Sequence, residues 1–303
     1  MARRHAGPAA ALMQDVVQVC ADTAWGPRGD GAPTHDVETV VEHGGILCFP
    51  QLRFELADDE RNLLDPAVAD GKAKNISLRG AADEVRGANP AHAEALRRMI
   101  GRYRALATTL AERLFPHYRG RLKPGNPSYR PVGVEGRVTS WRKDDTRLHV
   151  DSFPSNPMRG RRLLRVFHNL NPHGQPRSWR VGEPFEDFAR RFVPAIPKPL
   201  PGSAAVLHAL HITKSRRSEY DHYMLQLHDR VKADMAYQRE APQQAIHFAP
   251  GTTWVVYSDQ VLHAAMGGQF MMEQTFYLEP TDMQTPDAAP LAVLQRLVGR
   301  PLL

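Results

Sequence analysis

The feature that most restricts the fold of this chain is a pair of ligand-type residues, His149 and Asp151, closing an extended run in Leu148-His149-Val150-Asp151. A further histidine lies far downstream in Val261-Leu262-His263. Strand side chains repeat every second residue, so an H-x-D at the end of a strand turns imidazole and carboxylate to one face. These ligand types suit ferrous iron, and three of them on one face leave the opposite positions open. That is the 2-His-1-carboxylate triad of non-haem iron(II) oxygenases. His263 can complete the triad only from another strand, so strands distant in sequence must lie side by side. Spacing alone fits a surface histidine beside a solvated aspartate equally well, but the flanks favour the metal. A β-branched and aromatic run spans 136–141, Ser152-Phe153-Pro154 ends the strand after Asp151, and 252–258 before His263 is the most strand-like run in the chain.

The remaining pattern fits one large α+β unit. Val37 to Val41 reads as a short helix before Gly44-Gly45, and 46–49 as a strand stopped by Pro50. Residues 55–90 are polar and read as loops and short helices. From 91 to 117, Leu96, Met99, Ile100, Tyr103, Leu106, Leu110 and Leu114 recur every three or four residues, the mark of an amphipathic helix covering a sheet. Strands are expected at 137–141, 163–170, 203–208, 245–248, 252–258 and 270–278. A helical insertion over 211–242 carries the stripe Tyr220, Met224, Leu227, Val231 and Met235. Many short strands with Gly/Pro turns suggest a double-stranded β-helix, or jelly roll. The expectation is a single domain over 1–303, with an N-terminal mixed helical region at 36–125, a jelly-roll core at 126–280 and a C-terminal tail at 283–303.

A net charge of +6 favours an anionic partner, but the arginines are scattered instead of gathered with aromatics, which speaks against nucleic acid. Cys20 and Cys48 have no metal or redox spacing and read as free thiols of a reducing compartment. The start of the chain is too polar for a signal peptide, and no run of about 18 apolar residues offers a membrane span. A cytoplasmic protein with a peripheral membrane contact is expected. The apolar tail, with Leu291, Val293, Leu294, Leu297, Val298, Leu302 and Leu303 beside Arg296 and Arg300, offers a face for that contact, although a terminal apolar helix more often packs on its own domain.

Oxygenases with this triad commonly take 2-oxoglutarate, whose far carboxylate needs a cation. Arginine meets a carboxylate with its planar fork. Many such enzymes place the arginine about ten residues after the distal histidine, yet 264–277 contain neither Arg nor Lys. Arg165 is the substitute chosen here, because a charge inside the apolar strand 163–170 is costly unless paired. A salt bridge to a protein carboxylate is the alternative, and Arg162 and Arg137 are the reserves. Arg130, Arg177 and Trp179 flank this strand and would suit the mouth of a pocket for an anionic substrate.

The runs His149-Val-Asp-Ser-Phe-Pro-Ser-Asn-Pro157, Leu164-Arg-Val-Phe-His-Asn-Leu-Asn-Pro172, His211-Ile-Thr-Lys-Ser-Arg-Arg-Ser-Glu-Tyr-Asp-His-Tyr-Met224 and Trp254-Val-Val-Tyr-Ser-Asp-Gln-Val-Leu-His-Ala264 resemble the Kdo 3-hydroxylase family of Gram-negative bacteria. The likeness covers most of residues 40–280. It implies an iron(II)/2-oxoglutarate-dependent dioxygenase with Fe2+ on His149, Asp151 and His263 and with O2 as co-substrate. The implied substrate is 3-deoxy-D-manno-oct-2-ulosonic acid (Kdo) already attached to lipid A, hydroxylated at carbon 3 to give Ko at the cytoplasmic face of the inner membrane. The alternatives are a hydroxylase of another anionic metabolite and a non-catalytic cupin-like metal-binding protein.

Overall fold

The computed structural model describes residues 16–26, 36–73, 75–133 and 139–303. Twelve strands are described: β1 (Val17–Val19), β2 (Ile46–Phe49), β3 (Ile76–Arg79), β4 (Glu84–Arg86), β5 (Lys123–Pro124), β6 (Ser128–Arg130), β7 (Arg162–Asn169), β8 (Arg177–Gly182), β9 (Gln243–Phe248), β10 (Thr253–Tyr257), β11 (His263–Gly267) and β12 (Met271–Leu278). The helices are α1 (Val37–Glu42), α2 (Ala93–Leu114), α3 (Phe185–Phe192), α4 (Ser203–Ala209), α5 (Glu219–Ala233), α6 (Met235–Glu240) and α7 (Pro290–Val298). The larger sheet runs β1-β2-β10-β7-β12-β6-β3-β4, with β5 paired to β12; the smaller runs β11-β8-β9. Among the described strands, β1 and β2 pair in parallel and the other pairs are antiparallel.

The central strand, β7, is buried on both faces, and its alternation sends its side chains into different cores. Leu164 and Val166 join Tyr103, Met99 and Ile100 of α2, and the Tyr103 hydroxyl donates to the Val166 carbonyl at 3.0 Å. On the other face Phe167 packs between the sheets with Trp254 of β10 and Trp179 of β8, at ring distances of 5.2 and 5.4 Å. A third core gathers α3, α5, α6 and α7 around Leu148, Val150, Leu262 and Ala264.

Four expectations change. Residues 203–208 form α4 instead of a strand: Ala204-Ala205 favour helix, Gly202 at φ 78° starts it, and so short an apolar run carries no period of its own. Of the strand expected at 137–141, residues 134–138 lie outside the described residues; Trp141–Lys143 form a 3-10 turn with the Arg142 guanidinium over the Trp141 ring at 4.1 Å. The stretch 55–90 contains the hairpin β3–β4, turned at Gly80 and Asp83, both at positive φ. The tail, offered above as a membrane face, folds as α7 onto the third core, with Val293, Leu294 and Leu302 buried.

Arg162 shows how polar groups enter the fold. It is fully buried, and its guanidinium reaches Asp259 at 2.8 Å and Gln260 at 2.6 Å and lies over the Tyr257 ring at 3.9 Å. Removing one partner of such a pair leaves an uncompensated buried charge. Asp259→Ala is expected to lower unfolding free energy by about 3–5 kcal/mol in urea titrations, against less than half of that for an exposed pair such as Arg190–Glu186.

His168 is buried among the same strands. Its Nε2 accepts from the Phe54 amide at 3.3 Å, so the proton sits on Nδ1, which donates to Thr253 Oγ1 at 2.8 Å. Burial, helped by the charge of Arg53, pushes its pKa down from 6.5 to about 3. The unfolded chain therefore gains a proton near 6.5 that the folded chain refuses until about 3. Stability contributed by this residue is complete above the higher value and is lost as pH falls between the two, at up to about 1.4 kcal/mol per pH unit. Comparing urea unfolding of wild type and His168→Gln across that window should show the steeper loss in wild type; parallel curves would remove the role.

Candidate metal and co-substrate site

The two histidines meet by strand pairing. His149 and His263 form an antiparallel bridge, with both N–H···O bonds at 2.9 Å, and β11 leads on from His263 beside β8. The flanking residues Leu148, Val150, Leu262 and Ala264 point the other way, into the helical core. This alternation turns the polar set inward between the sheets. The Asp151 amide donates to the Ser258 carbonyl at 2.9 Å, which ties the end of the H-x-D run to the turn after β10.

Ligand atoms of His149, Asp151 and His263 all lie within 4.8 Å of one another, the metal-competent cluster found among the described residues. Each imidazole has one nitrogen committed: Nδ1 of His149 donates to the Arg147 carbonyl at 2.7 Å, and Nδ1 of His263 to the Val261 carbonyl at 2.8 Å. Nε2 is thus left with its lone pair free on both rings, the tautomer a metal ligand requires. Burial holds both histidine pKa values below the usual range, so the rings are neutral. Burial alone would raise the Asp151 pKa, but the charge of the Arg165 guanidinium outweighs it and keeps the carboxylate ionised.

Arg165 lies one strand-face over from Arg162 and turns to the opposite side. Its guanidinium reaches Asp151 Oδ2 at 3.1 Å and Glu273 Oε1 at 3.0 Å, and Glu273 also pairs with Arg130. Arg165 therefore has the protein-carboxylate pairing named above as the alternative to a bound co-substrate. Three donors are left over: Nε of Arg165, Nε of Arg130 and the indole N–H of Trp179 are buried without a hydrogen-bond partner among the described residues. Trp179 stacks on the His263 ring at 4.9 Å and 23°. Arg177 is buried and donates to the Gly268 carbonyl at 2.9 Å. The structure thus brings Arg130, Arg165 and Trp179 to the triad. It places Arg162 in the Asp259 cluster, and Arg137 lies outside the described residues.

Two neighbours were not singled out from sequence. Glu273 is a carboxylate in the apolar strand β12, and the reasoning that selected Arg165 applies to it equally. His228 of α5 stands edge-on to His149 at 5.5 Å with its Nδ1 on Asp229 at 2.9 Å; its place in a mixed helical stripe gave no signal.

The family model described as 3-deoxy-D-manno-oct-2-ulosonic acid (Kdo) hydroxylase matches residues 24–301. This chain belongs to the Kdo hydroxylase family. Solved structures of the Kdo hydroxylase KdoO, a non-haem Fe(II) α-ketoglutarate-dependent dioxygenase, are similar over nearly the whole length. The complex with α-ketoglutarate and Fe(III) is 40% identical, covers 95% of this chain and 97% of that one, and superposes with a TM-score of 0.88. The cobalt(II) complex is 41% identical with a TM-score of 0.89 over the same shares, and the complex with succinate and Fe(III) is 40% identical with 0.88. No curated protein matches the chain. Among the described residues, no helix is long and apolar enough to cross a membrane.

The cluster fits a divalent ion by donor type and tautomer, which gives a test independent of turnover. His149→Ala, His263→Ala and Asp151→Asn should each abolish cobalt(II) binding followed by its visible absorption, while far-UV circular dichroism stays unchanged. A variant that still takes up cobalt as wild type does would take its residue out of the metal site.

Proposed function

We propose that this chain is an iron(II)/2-oxoglutarate-dependent dioxygenase that hydroxylates carbon 3 of Kdo in Kdo-lipid A to form Ko, a step in modification of the lipopolysaccharide inner core. The observation that carries this reading is the buried set His149, Asp151 and His263, facing Arg165 in a chain that belongs to the Kdo hydroxylase family. We take the chain as one domain with a jelly-roll core, acting at the cytoplasmic face of the inner membrane without spanning it.

His149 and His263 would offer Nε2, and Asp151 one carboxylate oxygen, to Fe2+. With 2-oxoglutarate and O2, the iron supplies the oxidising chemistry that inserts one oxygen atom and releases succinate and carbon dioxide. The protein's own work is positioning and charge. The backbone carbonyls of Arg147 and Val261 fix the imidazole planes, and Arg165 fixes the Asp151 carboxylate. Trp179 covers one face of His263 and excludes water there. Arg165 and Arg130 balance Asp151 and Glu273, so the four groups are close to neutral together. A bound dication would leave an excess of positive charge suited to a dianion such as 2-oxoglutarate. The unpartnered donors on Arg165, Arg130 and Trp179 are where its far carboxylate, or the carboxylate of Kdo, would be received.

Two measurements test this. Purified protein with Fe(II) and 2-oxoglutarate, given O2 and Kdo-lipid A, should yield product heavier by one oxygen atom; succinate release without change in the lipid would move the reading to another anionic substrate. Arg165→Ala should raise the KM for 2-oxoglutarate roughly 10- to 100-fold, the loss expected for a charge-assisted fork, with partial recovery in Arg165→Lys. An unchanged KM would shift the co-substrate role to Arg130.

A further inference from the structure

With the tail folded onto the core, the exposed apolar surface lies elsewhere. Nine large apolar side chains are exposed among the described residues, and four of them fall within thirteen positions: Leu200 (77%), Val206 (56%), Leu210 (64%) and Ile212 (51%). Elsewhere they are scattered singly, which is normal for any surface.

The local structure holds these four outward. Val206 on α4 and Leu210, the residue that caps its end, are one helical turn apart and share a face. The helix ends with His211 at φ 55°, a left-handed position usually given to glycine. The His211 amide donates to the His208 carbonyl and the Ile212 amide to the Leu207 carbonyl, both at 3.0 Å. This double closure turns the chain sharply and leaves Leu210 and Ile212 on either side of the turn, both in solvent. The segment is also charged with one sign. Lys198, Lys214 and Arg216 are exposed, Arg217 is half-buried, and no Asp or Glu occurs between Lys198 and Ser218.

Its attachment relates it to the metal site. The Lys214 amide donates to the Ser155 carbonyl at 2.9 Å, and the Arg217 guanidinium donates to the Pro154 carbonyl. Pro154 and Ser155 belong to the loop that leaves Asp151, so this anchor lies on the order of 10 Å of chain from the metal carboxylate. A cavity of about 330 Å3 opens between Leu200, Leu207, Arg217 and His222.

We propose that residues 198–217 are the surface by which this protein docks on an anionic lipid bilayer: Leu200, Val206, Leu210 and Ile212 enter the headgroup–acyl boundary, and Lys198, Lys214, Arg216 and Arg217 meet the phosphates. Aliphatic side chains with basic flanks and no aromatic anchor suit a bilayer better than a protein interface, whose core is rich in Tyr, Trp and Phe. The proposal rests on the reading above that the substrate is lipid-linked, and it places the docking surface beside the loop that leaves the site.

Full-length protein is floated with vesicles of phosphatidylethanolamine and phosphatidylglycerol, and with phosphatidylcholine alone, in low and high salt. Wild type should bind the anionic vesicles and lose them in high salt. Leu210→Glu/Ile212→Glu and Lys214→Glu/Arg216→Glu should each lose roughly tenfold or more in partitioning. Leu303→Glu, on the exposed end of the tail, should bind as wild type does. All of them should keep wild-type turnover of detergent-dispersed Kdo-lipid A. No wild-type binding to either vesicle, or unchanged partitioning of both double variants, overturns the docking surface while the hydroxylase reading stands. Loss of self-association by sedimentation in Leu210→Glu/Ile212→Glu with vesicle binding intact assigns the patch to a second copy of the chain and overturns it too. Normal vesicle behaviour from a wild type that cannot modify Kdo-lipid A supports the surface and rejects the hydroxylase reading.

Discussion

The structure depends most on one desolvated cation. Arg165 sits at the centre of the larger sheet with a carboxylate on each side: Asp151 from the loop side and Glu273 from the neighbouring strand. A guanidinium in that position is tolerated only with its charge met, and each carboxylate is equally dependent on it. The arrangement therefore fixes more than a salt bridge. A slip of β7 by one residue would put Arg165 against α2 and leave two buried anions facing each other across the space between the sheets. The same contact that sets register also holds Asp151 ionised and oriented. One interaction thus links the pairing of β7 with β12 to the shape of the candidate metal site.

The backbone does the corresponding work for the histidines. Their Nδ1 atoms bond to carbonyls two residues earlier in their own segments, and the segments bond to each other through the His149–His263 bridge. Ring orientation is set by local chain geometry, with hydrophobic anchoring from Leu148, Val150, Leu262 and Ala264 on the reverse face. Trp179 then fixes the His263 plane by stacking. These restraints all come from the chain itself and turn the donors toward one point.

Much of this could be read from sequence because strand alternation leaves a clear trace. Apolar residues on both sides of His149 and before and after His263 marked the face, and a lone charge in a run of Leu, Val and Phe marked Arg165. Arg162 carries the same local signal, being a charge at the start of the same strand. Its odd separation from Arg165 puts it on the other face, and its partners Asp259 and Gln260 are remote in sequence. Glu273, a buried charge in the apolar strand β12, is legible by the same rule, although no ligand role calls for an acid there. His228 was not legible, since its nearness to His149 arises only when α5 packs on the third core. Residues 203–208 failed for another reason: a short apolar run has no period of its own, and context chose helix. The tail is ambiguous in sequence, because apolar residues beside arginines describe a packed terminal helix as well as a membrane face.

The same geometry bears on whether the metal set is catalytic or structural. A structural site is closed, with the ion enclosed by protein ligands that leave nothing for substrate. Here the cluster among the described residues has two imidazoles and one carboxylate, and the group opposite them is Arg165, a cation that repels an ion instead of binding it. His228 is near, but its Nδ1 is engaged by Asp229 and it meets His149 ring edge to ring face. A purely structural metal would gain nothing from a buried guanidinium beside its carboxylate ligand, and the site would be more stable with an apolar group in its place. Retaining the buried cations Arg165 and Arg130 and the unpartnered indole N–H of Trp179 near a three-ligand set makes sense when an anion must be received there along with the ion. The charge arrangement therefore favours a site that binds and releases an anionic reactant over one that locks a metal into the fold.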